Sequence, residues 1–73
     1  MVDTPIEWGP FQGPNEDDIR VSRPLVMHTP AGFYVGQVCE DRTGFGEPYA
    51  RLTDYFATKA EAVSMLTYMQ EGA

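Results

Sequence analysis

Prolines and glycines interrupt the N-terminal part of the sequence at Pro5, Gly9, Pro10, Gly13 and Pro14. Proline lacks a backbone N–H and glycine weakens helix and strand interiors, so residues 1–18 are predicted to form an irregular arm. The arm also carries large apolar side chains, among them Trp8 and Phe11. These side chains either fold back over the core or wait for a partner. We expect the first, because a chain of 73 residues needs every large apolar group for its core.

Extended segments follow the arm. Residues 19–21 form a short one that Pro24 interrupts. Residues 25–28 and 33–39 are rich in β-branched and aromatic side chains, and the Thr-Pro-Ala-Gly sequence at 29–32 is typical of a tight turn. We therefore predict a β-hairpin here.

A loop at 42–48 is predicted to lead into a further strand at 49–56. Side chains alternate between the two faces of a strand, so Ala50, Leu52 and Phe56 share one face. That face is predicted to meet the core, which completes a three-stranded antiparallel sheet.

The clearest local signal is a helix start. Thr58 and Glu61 have the spacing of a capping box, which predicts a helix over 59–71 with Gly72 as its C-terminal cap. Apolar residues recur there at three- and four-residue spacing and predict one buried stripe: Ala62, Val63, Met65, Leu66 and Met69. The fold class is therefore α+β in a single domain. Its parts are the arm at 1–18, the sheet at 19–56 and the capped helix at 58–71.

Eleven acidic and five basic residues give the chain a net charge of −6. Such a surface repels phosphate, so neither direct nucleic-acid binding nor binding to an anionic membrane is expected. The charge favours encounter with basic protein surfaces, or it serves only to keep a small protein soluble. The N-terminus lacks a signal-peptide pattern, and no apolar stretch is long enough to span a membrane. Because Cys39 is the only cysteine, no disulfide can form within the chain, and we expect the protein in the reducing cytoplasm. We also expect a monomer.

No residue pattern in the chain suggests an enzyme, a metal site or a cofactor. His28 and Cys39 are too few for a structural zinc site, and as a base and nucleophile they lack an oxyanion hole. Glu40 and Asp41 are neighbours in a strand, so they point to opposite faces and are poorly placed to act on one substrate. A hydrolase that uses Cys39 stays as an alternative, but we expect a binding protein.

The predicted partner surface combines aromatic side chains with carboxylates. It comprises the following residues: Trp8, Phe11, Asp17, Asp18, Tyr34, Glu40 and Asp41.

Three segments resemble small uncharacterised proteins of tailed phages: AGFYVG at 31–36, PYARLT at 48–53 and YFATKAEA at 55–62. Among phage proteins of this size, the chain is similar to the transcription regulator of a lytic Xanthomonas phage. The resemblance implies that it binds host RNA polymerase through the β′ and β subunits. It further implies that the protein hinders σ-dependent initiation and promotes antitermination.

Two other functions stay open. The first is an anti-CRISPR-type inhibitor, whose carboxylates would mimic nucleic-acid phosphates in a basic groove. The second is a structural accessory protein with no regulatory role.

Overall fold

The computed structural model describes residues 6–71. It contains four strands and one helix, in the order β1 (Ile19–Val21), β2 (Leu25–Thr29), β3 (Gly32–Asp41), β4 (Gly46–Arg51) and α1 (Lys59–Glu71). The strands form one antiparallel sheet, and α1 packs against β2 and β3. The predicted α+β class, with a C-terminal helix on an antiparallel sheet, is confirmed.

The ten-residue strand β3 is the centre of the sheet. Its Cys39 pairs with Val21 of β1 on one side and with Glu47 of β4 on the other. In the same way, Gly36 pairs with β2 on one side and with β4 on the other. It follows that β1 and β2 lie end to end along one edge of β3, with Pro24 in the gap between them. The sequence predicts a three-stranded antiparallel sheet, whereas the structure has four strands. The short segment at 19–21 forms a strand of its own, β1, in line with β2.

Ser22 holds the sheet together at this gap. Its backbone N–H donates to the carbonyl of Val38 at 2.8 Å, and its hydroxyl accepts from the Val38 N–H at 3.0 Å. The side-chain amide of Gln37 donates to the Ser22 carbonyl at 3.0 Å. Side-chain hydrogen bonds thus replace part of the strand ladder next to Pro24, and Ser22 is buried as a result.

The hairpin between β2 and β3 closes as predicted, with Thr29 paired to Gly32. Gly32 has a φ of 137°, a backbone conformation that residues with a Cβ rarely adopt. A Cβ at this position would also lie 2.6 Å from the carbonyl oxygen of Phe56. Both backbone conformation and space therefore require glycine here.

The predicted bounds of the last strand were wrong. Strand β4 begins at Gly46, inside the predicted loop, and ends at Arg51 instead of continuing through Phe56. It begins early because the backbone of Asp41 and Phe45 closes a short turn, in which the Asp41 N–H donates to the Phe45 carbonyl at 3.1 Å. Pairing with β3 therefore starts directly after the turn.

Beyond Arg51 the chain stays beside β3 without forming a regular strand. The Thr53 hydroxyl accepts from the N–H of Val35 at 3.0 Å, where a regular strand would supply a backbone carbonyl. Pairing resumes only at the isolated bridge between Phe33 and Phe56. Leu52, which was predicted to face the core, is 41% exposed because it lies in this irregular stretch.

The capping box at the start of α1 is confirmed. The Glu61 N–H donates to the Thr58 hydroxyl at 3.2 Å, and the Thr58 N–H donates to the Glu61 carboxylate at 3.1 Å. These two bonds satisfy backbone donors that have no partner inside the helix. The predicted cap at Gly72 lies outside the described residues.

The core is small. Four hydrophobic residues are buried among those that the structure describes: Tyr34, Val35, Cys39 and Ala62. The helix contributes only Ala62 as a fully buried residue, whereas Met65, Leu66 and Met69 are half-buried and Val63 is 42% exposed. In residues 6–71, no helix has the length and apolar character needed to cross a membrane.

Candidate protein-binding surface

Residues 7–12 of the arm run along the outer side of β1. The Gly9 N–H donates to the carbonyl of Val21, and the Gln12 N–H donates to the carbonyl of Ile19, both at 2.9 Å. Trp8 forms an isolated bridge with Ser22. These bonds fix the arm as an irregular extra strand, and they position its aromatic side chains over the end of the sheet.

The aromatic side chains of the arm pack on a cation. The guanidinium carbon of Arg20 lies 4.9 Å from the ring centroid of Trp8 and 5.0 Å from that of Phe11. Arg20 is also the register partner of Glu40, and its Nε donates to the Glu40 carboxylate at 2.7 Å. Cation–π contacts and a charge-assisted hydrogen bond thus converge on one half-buried arginine.

A second arginine joins the arm to the turn after β3. The guanidinium carbon of Arg42 lies 4.2 Å from the Phe11 ring centroid, and its Nη2 donates to the carbonyl of Gly13 at 2.9 Å. Neither Arg20 nor Arg42 is in the surface predicted from the sequence. The pattern that could have identified Arg20 is an arginine in a strand that follows an aromatic-rich arm, with an acid in the neighbouring strand.

Asp41 organises the turn that connects β3 and β4. One of its carboxylate oxygens accepts from the Thr43 N–H at 2.9 Å, the Thr43 hydroxyl at 2.6 Å and the Phe45 N–H at 3.2 Å. The hydroxyl bond from Thr43, followed by the backbone bonds of the turn, lowers the pKa of Asp41 below the ordinary value of an aspartate. Gly44 takes a φ of 91°, which completes the turn. The conformation of this turn is therefore fixed by hydrogen bonds to an ionised side chain.

This turn presents Phe45 to solvent. The side chain is 65% exposed, although its backbone N–H and carbonyl are both hydrogen-bonded to Asp41. Phe45 was not among the partner contacts predicted from the sequence. The structure shows an exposed aromatic ring on an ordered backbone, which is a common form of binding anchor.

The predicted acidic residues have different local roles. Asp17 is exposed, whereas Asp18, Glu40 and Asp41 are half-buried. The Asp18 carboxylate accepts from the Asn15 N–H at 2.8 Å, which closes the turn before β1. Of these four carboxylates, three stabilise the local structure, and only Asp17 is without such a contact among the described residues.

Tyr34 was wrongly predicted as a partner contact. It is 7% exposed, and its ring packs edge-on against Tyr55 with 5.5 Å between the ring centroids. It lies on β3 opposite Met27 of β2, and it belongs to the core. The tyrosines that are exposed are Tyr49, Tyr55 and Tyr68.

His28 and Cys39 are not brought together. His28 is exposed and stacks on Phe33, with 4.1 Å between the ring centroids, while Cys39 is buried opposite Val21. Because a strand rises about 3.3 Å per residue, the two positions are roughly 20 Å apart along the sheet. In residues 6–71, no three His, Cys, Asp or Glu side chains are grouped so that they could hold a metal ion.

The arm, β1 and the turn after β3 concentrate negative charge at one end of the molecule. We define the arm end as residues 8–20 and 38–49, which contain six carboxylates and two arginines and so have a net charge of −4. The remainder of the chain has a net charge of −2. Because six carboxylates outnumber two arginines there, the arm end presents a net negative charge to a partner.

Comparisons with protein-family models, with curated proteins and with solved structures found no match to this chain. Any assignment of function therefore depends on the chemistry of the surface. That surface combines an acidic end, an ordered turn and one exposed phenylalanine.

Proposed function

We propose that this protein acts by binding a protein partner through its arm end, without catalysis. The observation that carries the proposal is Phe45, an exposed aromatic ring on a turn that Asp41 fixes through its carboxylate. Burial of such a side chain in an apolar pocket of a partner removes apolar surface from water and so contributes to the binding free energy. Because its backbone is already ordered, little conformational entropy is lost on binding.

The charge of the arm end indicates the chemistry of the partner. A net charge of −4 around Phe45 speeds encounter with a basic surface and opposes encounter with an acidic one. The complementary site is an apolar pocket bordered by lysine or arginine side chains. Proteins that hold nucleic acid have such basic surfaces.

We further propose that the partner is host RNA polymerase in the cytoplasm of an infected cell. This step is supported by the resemblance to phage transcription regulators and by the complementarity between an acidic arm end and a polymerase that holds nucleic acid. The protein would hinder σ-dependent initiation and promote antitermination by occupying a site on the β′ or β subunit.

Acidic mimicry of nucleic acid receives less support. A mimic needs carboxylates that are free to replace phosphates, whereas Asp18, Glu40 and Asp41 accept hydrogen bonds within the chain. Reversing the charge of Glu40 or Asp41 would also disturb local structure. Among the four acidic residues predicted from the sequence, a charge-reversal test of mimicry is therefore clean only at Asp17.

The test is capture of polymerase from a host lysate by the tagged protein, followed by transcription assays with the purified enzyme. Wild-type protein is expected to recover the β and β′ subunits and to reduce σ-dependent initiation. Phe45→Ser should lose both effects. Tyr68→Ser is a matched control because Tyr68 is also aromatic, is 72% exposed and lies on α1, away from the arm end.

Three results would contradict the proposal. Recovery of neither subunit would exclude polymerase as the partner. Equal loss in the Phe45 and Tyr68 variants would exclude the arm end as the binding surface. Displacement of the captured partner by DNA, together with loss of binding in Asp17→Lys but not in Phe45→Ser, would favour the mimic.

A further inference from the structure

The arm and the turn that carries Phe45 lie at the same level of the sheet. We call residues 41–45 the Phe45 turn. The Gln12 N–H of the arm donates to the carbonyl of Ile19 in β1, and Ile19 pairs with Asp41 of β3. The Asp41 N–H in turn donates to the carbonyl of Phe45. Neighbouring strands lie about 4.8 Å apart, so the backbones of Gln12 and Phe45 are separated by roughly 14 Å. A protein interface of ordinary size, about 800 Å² on each partner, covers both.

Arg42 connects the Phe45 turn to the arm. Its guanidinium carbon lies 4.2 Å from the ring centroid of Phe11, and its Nη2 donates to the carbonyl of Gly13 at 2.9 Å. Among residues 6–71 it has no ion-pair partner, although the arm end contains six carboxylates. The guanidinium of Arg42 is therefore directed at the arm, on the far side of β1, and not at a neighbouring acid.

Asp41 and Arg42 have different tasks in this turn. The Asp41 carboxylate accepts hydrogen bonds from Thr43 and Phe45, which are two and four residues away, so it fixes the internal shape of the turn. The bond from Arg42 to Gly13 joins residues 29 apart, so it fixes the turn against the arm. Shape comes from Asp41, and orientation relative to the arm comes from Arg42.

We propose that the arm and the Phe45 turn act as one recognition surface, in which Arg42 is the positioning residue that holds the turn against the arm. This role rests on the proposed function, because it concerns how the arm end presents Phe45 to a protein partner. The partner meets the exposed ring and the arm in a fixed relative orientation. Less conformational entropy is then lost on binding than with two segments that move separately.

Charge distinguishes a positioning role from direct contact with the partner. The complementary site is basic, so an arginine that faced it would oppose binding, and its replacement by a neutral residue would strengthen the complex. Replacement of a positioning arginine weakens the complex instead. Arg42→Lys isolates the second effect, because lysine keeps the positive charge and lacks the planar group that contacts Phe11.

Arg51 provides a matched control. Its guanidinium carbon lies 4.8 Å from the ring centroid of Tyr55, and its Nη1 donates to the carbonyl of Thr53 at 2.8 Å. Like Arg42, it is an exposed arginine that contacts one aromatic ring and one backbone carbonyl. Its contacts stay within four residues of the chain and lie outside the arm end. Arg51→Lys therefore makes the same chemical change without affecting the arm.

The first test measures affinity for purified polymerase. Arg42→Lys should weaken binding by about two- to fivefold, the effect of an exposed cation–π contact, whereas Arg51→Lys should leave it unchanged. Phe11→Leu should weaken binding at least as much, because Phe11 also contacts Arg20. In the Phe11→Leu background, Arg42→Lys should have no further effect, since both changes remove the same contact. Additive losses would show that Arg42 does not act through Phe11 and would overturn its positioning role.

Unchanged binding in Arg42→Lys, together with tighter binding in Arg42→Gln, would also overturn the proposal. That pair of results is expected of a cation that only reduces the negative charge of the arm end.

The second test uses the protein alone and does not depend on the identity of the partner. Hydrogen exchange of the Gln12 amide reports on the arm, because this N–H donates to Ile19 next to Phe11. Arg42→Lys should speed this exchange by about two- to fivefold, and Arg51→Lys should not. Equal exchange in wild type and Arg42→Lys would overturn the positioning role even in a protein that binds polymerase. Faster exchange in a protein that captures no polymerase would support that role and exclude only the proposed partner.

Discussion

At the arm end, two arginines contact aromatic rings, one carboxylate fixes a turn and backbone hydrogen bonds hold the arm. On the face of α1 that meets the sheet, which we call the helix side, the half-buried side chains of Met65, Leu66 and Met69 flank the fully buried Ala62. The arm end therefore depends on directional contacts between named pairs of atoms. The helix side depends on the apolar area removed from water, which has no preferred direction.

This difference predicts different responses to conditions and to mutation. Directional, charged contacts at a half-exposed site are sensitive to pH, and the exposed ones are weakened by salt. Apolar packing is little affected by either, but it is sensitive to the size and charge of a buried side chain. We infer that the arm end sets the recognition of a partner, while the helix side sets the stability of the domain.

The largest expected effect is on the helix side. Ala62→Asp would bury an unpaired carboxylate, and it should reduce the free energy of unfolding by about 3–5 kcal/mol, which is enough to unfold most small domains. Ala60→Asp makes the same change at an exposed position in the first helical turn, where an acid suits the helix dipole. Urea unfolding followed by circular dichroism should show a large loss only for the Ala62 variant. Similar losses in both would mean that α1 is not packed through Ala62.

The next effect is on the arm end. Arg20→Lys keeps the charge but loses the planar group that contacts Trp8 and Phe11, so we expect a loss of about 1–2 kcal/mol. Trp8 is the only tryptophan, so a red shift of its fluorescence reports release of the arm. Arg23→Lys alters an exposed ion pair with Glu7 and should change stability by less than about 0.5 kcal/mol. An unchanged Trp8 spectrum in the Arg20 variant would show that the backbone bonds of the arm are sufficient.

A smaller effect is expected at the start of α1. Thr58→Ala removes the hydroxyl that accepts from the Glu61 N–H, and it should lower stability by about 1 kcal/mol. Thr67→Ala, at an exposed position inside the same helix, should be neutral or slightly stabilising because alanine is the better helix former. If the two regions are independent, the fluorescence of Trp8 will not change in either variant below the unfolding transition. A change in that spectrum would show that α1 and the arm are coupled.

Local sequence signals predicted those elements that depend on nearby residues. The capping box of Thr58 and the hairpin turn at Gly32 were both found because their bonds form within a few residues of each other. The start of β4 was missed although the bonds of the Asp41 turn are local, because that turn was taken for part of a loop. The end of β4 could not be found from local signals, since the bond from the Val35 N–H to the Thr53 hydroxyl joins residues 18 apart in the sequence.

The candidate site was predicted in part. Trp8, Phe11 and Glu40 were predicted in one partner surface and do lie close together, but Arg20, which contacts all three, was missed. Its contact with Glu40 joins residues 20 apart in the sequence, so it could be found only by combining the aromatic-rich arm with the pairing of the two strands. Tyr34 was assigned to the surface because the alternation of side chains along a strand does not show whether one face of the sheet or both faces are covered.

The smallest and most local effect concerns the turn that presents Phe45. The folded turn favours the ionised form of Asp41, whose pKa is lowered chiefly by the Thr43 hydroxyl. The contribution of Asp41 to stability is therefore present above the pKa it has in the unfolded chain, and it is lost as the pH falls through its lower folded pKa. In an NMR titration, the amide signal of Phe45 should stay constant through the pH range in which an ordinary aspartate titrates, and it should shift only at lower pH.

Asp41→Asn should abolish this shift and leave the α1 signals unchanged. A Phe45 signal that moves within the ordinary aspartate range would show that the turn is not held by the carboxylate, and Phe45 would then lose the rigidity that makes it a binding anchor.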